Sequence, residues 1–247
     1  MNEKTESQKV VPYKDSELSK KNQVAKMFDN IAPRYDFLNH LLSLNVDHYW
    51  RWRMINRLKS IQPKNILDVA TGTGDVAIAA MRLKPEKVVG VDISAEMLEY
   101  GKVKMKKKKL DKVVTMQLGD AENLDFEDNS FDAITVAFGV RNFEHLQKGI
   151  KELNRVLKPN GKLVVLEFSK PKTFPIKQFY NFYFKYILPL VGRFFSSDES
   201  AYTYLPASVQ AFPEGGEFIN ILSQSGFKST KWIPLTFGIS SIYEGTK

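Results

Sequence analysis

Between residues 65 and 168 the chain alternates two hydrophobic rhythms. Five short β-rich runs, at 65–70, 87–91, 113–118, 131–137 and 162–168, are separated by helical stretches near 74–83, 95–108 and 145–157. Short continuous apolar runs are buried on both faces, and helical connections between them make βαβ units and a parallel sheet. Lys158-Pro159-Asn160-Gly161 reads as a turn that ends the last of these helices and starts the fifth strand. A helix near 213–225 and β-rich segments near 228–233 and 235–243 add two more strands, for seven in all. The expectation is an α/β fold with helices on both faces of a mostly parallel sheet.

Around this core, residues 1–23 are polar and read as a flexible arm ending in a docked turn. Residues 24–60 carry apolar and aromatic side chains at helical spacing and form a helical cap, with Pro33 dividing it. The cofactor-binding core is 64–168. Residues 169–210 break the alternation with a dense set of aromatics, read as an insertion after the fifth strand and a lid over substrate, and 211–247 close the chain. All of 24–247 is expected to be one domain. The chain has no cysteine, which excludes disulfides, thiolate metal sites and cysteine nucleophiles, and fits a reducing, cytoplasmic setting. No run of about 18 apolar residues is present to span a membrane. The excess of 36 Lys and Arg over 28 Asp and Glu points to an acidic partner, among them nucleic acid, anionic headgroups or an anionic ligand. The lysine run 106–109 reads as a solvated helix end, and Tyr100 and Lys104 as a chance tyrosine-lysine pairing in that helix.

The segment Ile66-Leu67-Asp68-Val69-Ala70-Thr71-Gly72-Thr73-Gly74-Asp75 is a hydrophobic strand, a tight turn of small residues and a helix start. Gly72 and Gly74 permit positive φ and close backbone approach to a ligand. The spacing Gly72-x-Gly74-x-x-Ala77, with Asp92 following 20 residues after Gly72, also satisfies a dinucleotide fingerprint. Asp68 and Asp75 bracket the turn. A carboxylate at the helix start repels a diphosphate and suits a cationic ligand such as the sulfonium and ammonium of S-adenosylmethionine. Asp92 ends the second strand, where it accepts two ribose hydroxyls; Ser94 is already placed to cap the next helix. Gly119-Asp120-Ala121 follows the third strand, where an acid meets an adenine amino group and Ala121 leaves room for the ring. Three such features at the carboxyl ends of three successive strands lie where open α/β sheets bind ligands.

Two further segments are distinctive: Tyr35-Asp36-Phe37-Leu38-Asn39-His40-Leu41-Leu42-Ser43 followed by Trp50, and Phe138-Gly139-Val140-Arg141-Asn142 running on through Arg155–Gly161 to Leu166-Glu167-Phe168-Ser169-Lys170-Pro171. With them, residues 24–247 resemble the class I, Rossmann-like S-adenosylmethionine-dependent methyltransferases, and more narrowly the quinone-biosynthesis C-methyltransferases that act on demethylmenaquinol and, in some members, a ubiquinone precursor. The resemblance implies cofactor contacts at Thr73, Asp92, Asp120 and Ala121, with Gly72 and Gly74 close by, and no metal. Where the family often has a histidine ahead of the tryptophan, this chain has Asp47 with His48 beside it; Ala137 replaces a serine, and Asn160 a common glycine.

The implied substrate is a polyprenylated quinol, methylated at a ring carbon. Arg141 and Asn142 are the catalytic candidates. Arg141 stabilises a developing phenolate or holds a proton-accepting water, or else pairs with a structural carboxylate such as Glu144; Asn142 orients the same water or caps the next helix. Tyr35 and Asp36 of the cap reach the ring, or Tyr35 serves helical packing instead. The aromatics of 174–195 and the run 187–191 form a tail channel, with Lys177, Lys185 and Arg193 toward anionic headgroups on the inner face of the membrane, or pack on the sheet. No nucleic-acid partner is expected, since there is no cysteine for covalent base methylation and Phe138-Gly139-Val140-Arg141 replaces the Asn/Asp-Pro-Pro-aromatic motif used on amino nitrogens. Competing readings are a benzoquinol or other small-molecule methyltransferase and a nicotinamide-dependent oxidoreductase. The oligomeric state stays open, a homodimer included.

Overall fold

The computed structural model describes residues 10–188, 190, 198 and 200–247. Seven strands form one sheet: β1 (Asn65–Val69), β2 (Lys87–Asp92), β3 (Val114–Leu118), β4 (Phe131–Ala137), β5 (Leu157–Phe168), β6 (Lys228–Leu235) and β7 (Ser240–Thr246). Their order is β3-β2-β1-β4-β5-β7-β6, parallel throughout except that β7 runs antiparallel to both of its neighbours. The chain winds outward from β1 to β3 and then returns to place β4 on the other side of β1. That reversal opens a crevice at the carboxyl ends of the strands.

The period-2 geometry of the strands divides their side chains between two cores. Leu67, Val69, Val89, Val91, Ile134 and Val165 face one way. There they meet α6 (Leu146–Val156), whose Ile150 and Leu153 are fully buried, and α9 (Gly216–Gln224), through Phe218 and Leu222. Ile66, Val88, Ala133, Val164 and Leu166 face the opposite way, toward Met54, Ile55 and Leu58 at the end of α3 (Val46–Asn56), α4 (Asp75–Ala80) and α5 (Ala95–Lys107). α3 therefore packs on the sheet, unlike the rest of the expected cap.

A third core lies beyond the strand ends. There α1 (Lys20–Ile31) presents Val24, Met27 and Ile31, α2 (Tyr35–Leu42) presents Leu38, and α5 presents Met97. Against them pack Leu188, at the end of the helical stretch begun by α7 (Ile176–Phe182), and Ala201, Tyr202 and Tyr204 of α8 (Ser200–Ala211). The Tyr183 hydroxyl donates to the Leu42 carbonyl at 2.9 Å. Among the described residues, the inner face of the aromatic insertion thus rests on the cap helices. Pro189, Val191, Arg193, Phe194 and Phe195 lie outside the described residues.

Some element boundaries differ from the sequence expectation. α1 begins inside the expected arm, with the Ser19 hydroxyl accepting from the Asn22 amide, and Tyr13 is docked by its own amide donating to Gln23 Oε1 at 2.9 Å. β5 starts at Leu157, which pairs with Phe131 before Lys158–Gly161 bulges out and pairing resumes at Lys162 with Ala133. The bulge is held from outside by the chain end: Asn160 N–H donates to the Lys247 carbonyl, and Lys247 N–H to that of Gly161. A 3₁₀ turn at Thr236–Gly238 delays β7 to Ser240.

Glu244 on β7 ties α3 to the sheet. It is buried, and it accepts from Arg57 Nε and Nη2 at 2.9 Å each, with Lys162 Nζ 3.1 Å away. Burial raises its carboxyl, but the bonds from Arg57 and Lys162 outweigh that and hold it below the ordinary carboxylate range. Glu244→Gln should cost about 3 kcal/mol at pH 7, the low end for breaking a buried pair because Arg57 stays partly in water. A carboxylate held low contributes stability above its unfolded range and loses it as pH falls. Urea titrations should therefore show the gap between variant and parent narrowing below about pH 4; a gap unchanged by pH would contradict this account.

Candidate active site

The turn after β1 is built from three left-handed residues: Ala70 (φ 53°), Gly72 (φ 55°) and Gly74 (φ 85°). Parallel pairing puts Val69 beside Val91, so the turn lies against the end of β2. Asp92 holds it there, with Oδ2 accepting from the Gly72 amide at 2.7 Å and Oδ1 from the Ser94 amide at 2.9 Å. Thr71 fits over Gly90, where a Cβ would lie 2.9 Å from its side chain. The Ser94 hydroxyl caps α5 by accepting from Met97 N–H, as its position in the sequence implies. Burial raises the Asp92 carboxyl, opposed by these backbone donors.

Between the strand ends and the cap lies a crevice of about 670 Å³, counting the solvent at its open mouth. Its apolar walls include Val69, Val91, Ile93, Met97 and Phe143, and Tyr35 closes over Gly72. Of the residues singled out from sequence, Gly72, Asp92, Asp120, Ala121 and Asn142 line this one space. Thr73, Gly74 and Arg141 are not in its lining. Gly74 instead sits where a Cβ would strike Met105 and Met116, so it serves packing between the turn and α5.

Two expectations about the bracketing acids are corrected. Asp68 is buried in the sheet, accepting from Thr71 Oγ1 at 2.6 Å and Thr135 Oγ1 at 2.7 Å. Asp75 faces the cap, where Lys104 Nζ is 2.8 Å and Arg51 Nη2 3.4 Å away. Burial raises its carboxyl, but Arg51 and Lys104 win and hold it low. Neither acid carries the field at the crevice. Among the described residues, Asp92, Asp120, Glu122 and Glu144 line it instead, beside one lysine, Lys21. That set still disfavours a diphosphate, and it fits the adenosine of S-adenosylmethionine: acceptors at the tips of β2 and β3, with apolar walls between.

Asp75 belongs to a polar lock between cap and turn. Thr73 Oγ1 donates to Asp36 Oδ1 at 2.5 Å, and Lys104 bridges Asp36 (2.5 Å) and Asp75. Asp47 binds Arg51, accepts from Ser43 Oγ at 2.7 Å, and lies 2.8 Å from His40 Nδ1. Asp36 and Thr73 thus engage each other rather than the crevice. His40, Asp47 and His48 are the group of described residues with metal-ligand spacing, but Asp47 is already neutralised by Arg51.

Behind the crevice lining, Arg141 pairs with the fully buried Glu167 at 2.8 Å, in place of the expected alternative partner Glu144, and donates to the Phe138 carbonyl. Burial raises Glu167, opposed first by the Arg141 charge. Asn142 does not cap α6, whose N-cap is His145; its Oδ1 accepts from the Tyr204 hydroxyl at 3.2 Å. Sequence reasoning missed Lys20 and Lys21. Lys21 Nζ lies 2.6 Å from Asp120 Oδ2, and Lys20 Nζ donates to the Arg141 and Phe143 carbonyls at 3.1 and 2.9 Å. It also missed Glu167, whose signal was a lone acid within an apolar strand.

The model of the ubiE/COQ5 methyltransferase family matches residues 16–247. The demethylmenaquinone methyltransferase of Bacteroides fragilis is 49% identical over 241 residues, covering 97% of this chain and 98% of its own. The ubiquinone/menaquinone biosynthesis C-methyltransferase UbiE of Geotalea daltonii is 46% identical over 230 residues, covering 92% and 97%. Among solved structures, a putative S-adenosylmethionine-dependent methyltransferase from Methanococcus maripaludis aligns with a TM-score of 0.64 at 18% identity, over 87% of this chain and 91% of that one. One from Aquifex aeolicus aligns at 0.56 and 20% identity, over 78% and 88%. These structural likenesses show the fold.

Asp68 has a pH signature of its own. Burial pushes its carboxyl up to about 6, against the two threonine donors. A carboxyl raised on folding favours the folded state when protonated, so its contribution falls as pH rises from about 4 to 6 and is then constant. Asp68→Asn should be as stable as the parent near pH 4 and more stable by up to about 3 kcal/mol at pH 7.5. Denaturation of both proteins across that range measures the difference; a flat difference would place the Asp68 charge elsewhere.

Proposed function

Because this chain belongs to the ubiE/COQ5 methyltransferase family, we propose that it methylates a ring carbon of a prenylated demethylmenaquinol to give menaquinol. It is an S-adenosylmethionine-dependent C-methyltransferase of quinone biosynthesis. The observation that carries the substrate side is the buried Arg141–Glu167 pair, set immediately after β4 between Gly139 and Asn142, two residues that line the crevice.

Bound S-adenosylmethionine supplies an electrophilic methyl group on a sulfonium. The residues that would hold it are Asp92, for the ribose hydroxyls, Asp120 with Ala121, for the adenine, and the Gly72 backbone, with Lys21 over the mouth. The quinone ring is too poor in electrons to attack, whereas a quinol that loses a hydroxyl proton pushes charge onto the ortho carbon. Arg141 meets that charge. Glu167 and the Phe138 carbonyl fix its guanidinium, so the donor is already aimed when the phenolate develops. Asn142, oriented by Tyr204, faces the same space. Alignment of two bound reactants supplies about 7–11 kcal/mol, and a positioned base about 10²–10⁴-fold, so the larger share falls to the cap and insertion that hold the ring and exclude water.

The same insertion presents Phe174 (82% exposed), Phe179 (68%) and Phe182 (56%) to solvent, with Lys177 and Lys185 among them. Such a face suits an anionic lipid surface, where the polyprenyl tail resides. No helix among the described residues is long and apolar enough to cross a membrane.

Four measurements test these roles. Labelled methyl should pass to a short-chain demethylmenaquinol that is chemically reduced, and not to the oxidised quinone. Asp92→Ala should weaken cofactor binding by about one to two decades, the loss of a charge-assisted hydrogen bond. Arg141→Ala strands Glu167 in the interior, so Arg141→Lys is the better probe. It should lower turnover about tenfold or more while cofactor affinity holds; equal loss of both properties in both variants contradicts the assignment. In flotation assays the protein should rise with anionic vesicles and stay behind with neutral ones. Absence from both would remove the membrane contact.

A further inference from the structure

Among the described residues, four buried side-chain nitrogen or oxygen atoms have no hydrogen-bond partner: Arg141 Nε, Tyr180 Oη, Asn154 Nδ2 and Ser225 Oγ. Folded proteins seldom leave such groups unmet, because each costs about 1–3 kcal/mol unless a ligand or water completes it. The last two belong to the region where α6 meets the end of α9. The first two lie on the same side of the crevice: Tyr180 stacks on Phe184, Phe184 packs in the third core with Tyr204, and the Tyr204 hydroxyl reaches Asn142, the residue after Arg141.

Tyr180 is not loosely placed. It comes from α7, and its ring stacks on Phe184 at 4.2 Å. Phe184 in turn meets the ring of Tyr183, which is anchored to α2 through the Leu42 carbonyl. Burial raises the Tyr180 phenol above its ordinary value, so it remains a neutral donor through the working pH range. From the other helix of the insertion, Tyr204 already serves Asn142. The insertion therefore sends one committed hydroxyl and one uncommitted hydroxyl toward the Arg141 wall.

A dihydroxy aromatic ring has a flat apolar body and two oxygens at opposite ends. We propose that the Tyr180 hydroxyl binds one oxygen of the ring substrate while the unpartnered Nε–H of Arg141 takes the other. The insertion is then a reader of the quinol's two-hydroxyl pattern as well as a cover. This rests on the functional reading above and adds a specificity residue to it. The requirement for both oxygens distinguishes a quinol from a simple naphthol of the same shape.

The test is Tyr180→Phe, which keeps the ring and its stacking on Phe184. Its melting temperature should equal or exceed the parent's, because an unmet hydroxyl is removed, and its affinity for S-adenosylhomocysteine should be unchanged. With a reduced short-chain demethylmenaquinol, kcat/KM should fall about tenfold, chiefly through KM. With the analogous 1-naphthol as a competitive inhibitor, parent and variant should give Ki values within about twofold of each other, averaged over its two orientations. An unaltered kcat/KM on the quinol, or an equal loss for quinol and naphthol, overturns the assignment. A parent enzyme that binds cofactor yet fails to methylate any quinol overturns the functional reading itself, and this inference with it.

Discussion

At the tip of β2, the Asp92 carboxylate holds a neighbouring loop by its backbone. One oxygen takes the Gly72 amide and the other the Ser94 amide, so a single buried side chain fixes both the turn after β1 and the entry to α5. The arrangement is possible because the two strands are parallel and in register, which brings the ends of β1 and β2 level. Gly72 must be left-handed for its amide to face Asp92, and Gly90 must lack a side chain for Thr71 to lie across β2. A carboxylate so held is oriented before any ligand arrives, and its remaining lone pairs are presented in a space with little water to compete. The geometry of the crevice rim is thus a consequence of strand pairing, carried outward through one residue.

The acids around this turn fall into two groups by what neutralises them. Asp36, Asp47 and Asp75 meet Lys104 and Arg51, and their task is to fasten α2 and α3 over the turn. Asp68, Asp92 and Glu167 are buried, and burial raises the carboxyl of each. The distinction matters for ligand choice. Charges already paired at contact distance project little field across a crevice, whereas Asp92, held only by backbone amides, lies directly in its lining. A positively charged donor is favoured by Asp92, and not by Asp68 and Asp75, the acids that bracket the turn in the sequence.

What the sequence made legible follows the range of the interaction involved. Strands with apolar residues on both faces could be read because periodicity is local, and five of them lie within a residue or two of expectation at most ends. The start of β5 was missed because Leu157 is claimed by Phe131, a pairing across 26 positions that overrides the Pro-Gly punctuation. The same limit applies at the site. Asp92, Asp120 and Ala121 were legible from their places at strand ends. The partner of Arg141 was sought three residues away at Glu144, and the structure supplies Glu167 from the next strand. Asp36 and Thr73 read as ligand-facing in the sequence, though Lys104 of α5 draws both away. Lys21 gave no signal, because a lysine in a polar arm looks the same whether it is solvated or folded over a pocket.

The Arg141–Glu167 pair explains why the insertion contributes phenols to this wall. Two charges taken from water lose several kcal/mol of solvation each, and they recover it only when their remaining donors and acceptors are met. Glu167 is nearly complete: the Arg141 guanidinium, the Arg141 amide and the Phe168 amide all donate to it. Arg141 is incomplete at Nε, so the deficit of the pair lies on its cationic side, where the substrate oxygen of the proposed reaction would complete it. A further cation beside it would raise the cost of the empty site and hold the product phenolate too tightly. A further carboxylate would compete with Glu167 and repel the nucleophile. A neutral hydroxyl on an aromatic ring does neither; it donates a hydrogen bond while its apolar body keeps water from the reacting carbon. In the proposed site Tyr180 would meet those requirements, while Tyr204, from another helix of the insertion, spends its hydroxyl on Asn142; the insertion is where such groups must come from when the sheet side is already occupied by the ion pair.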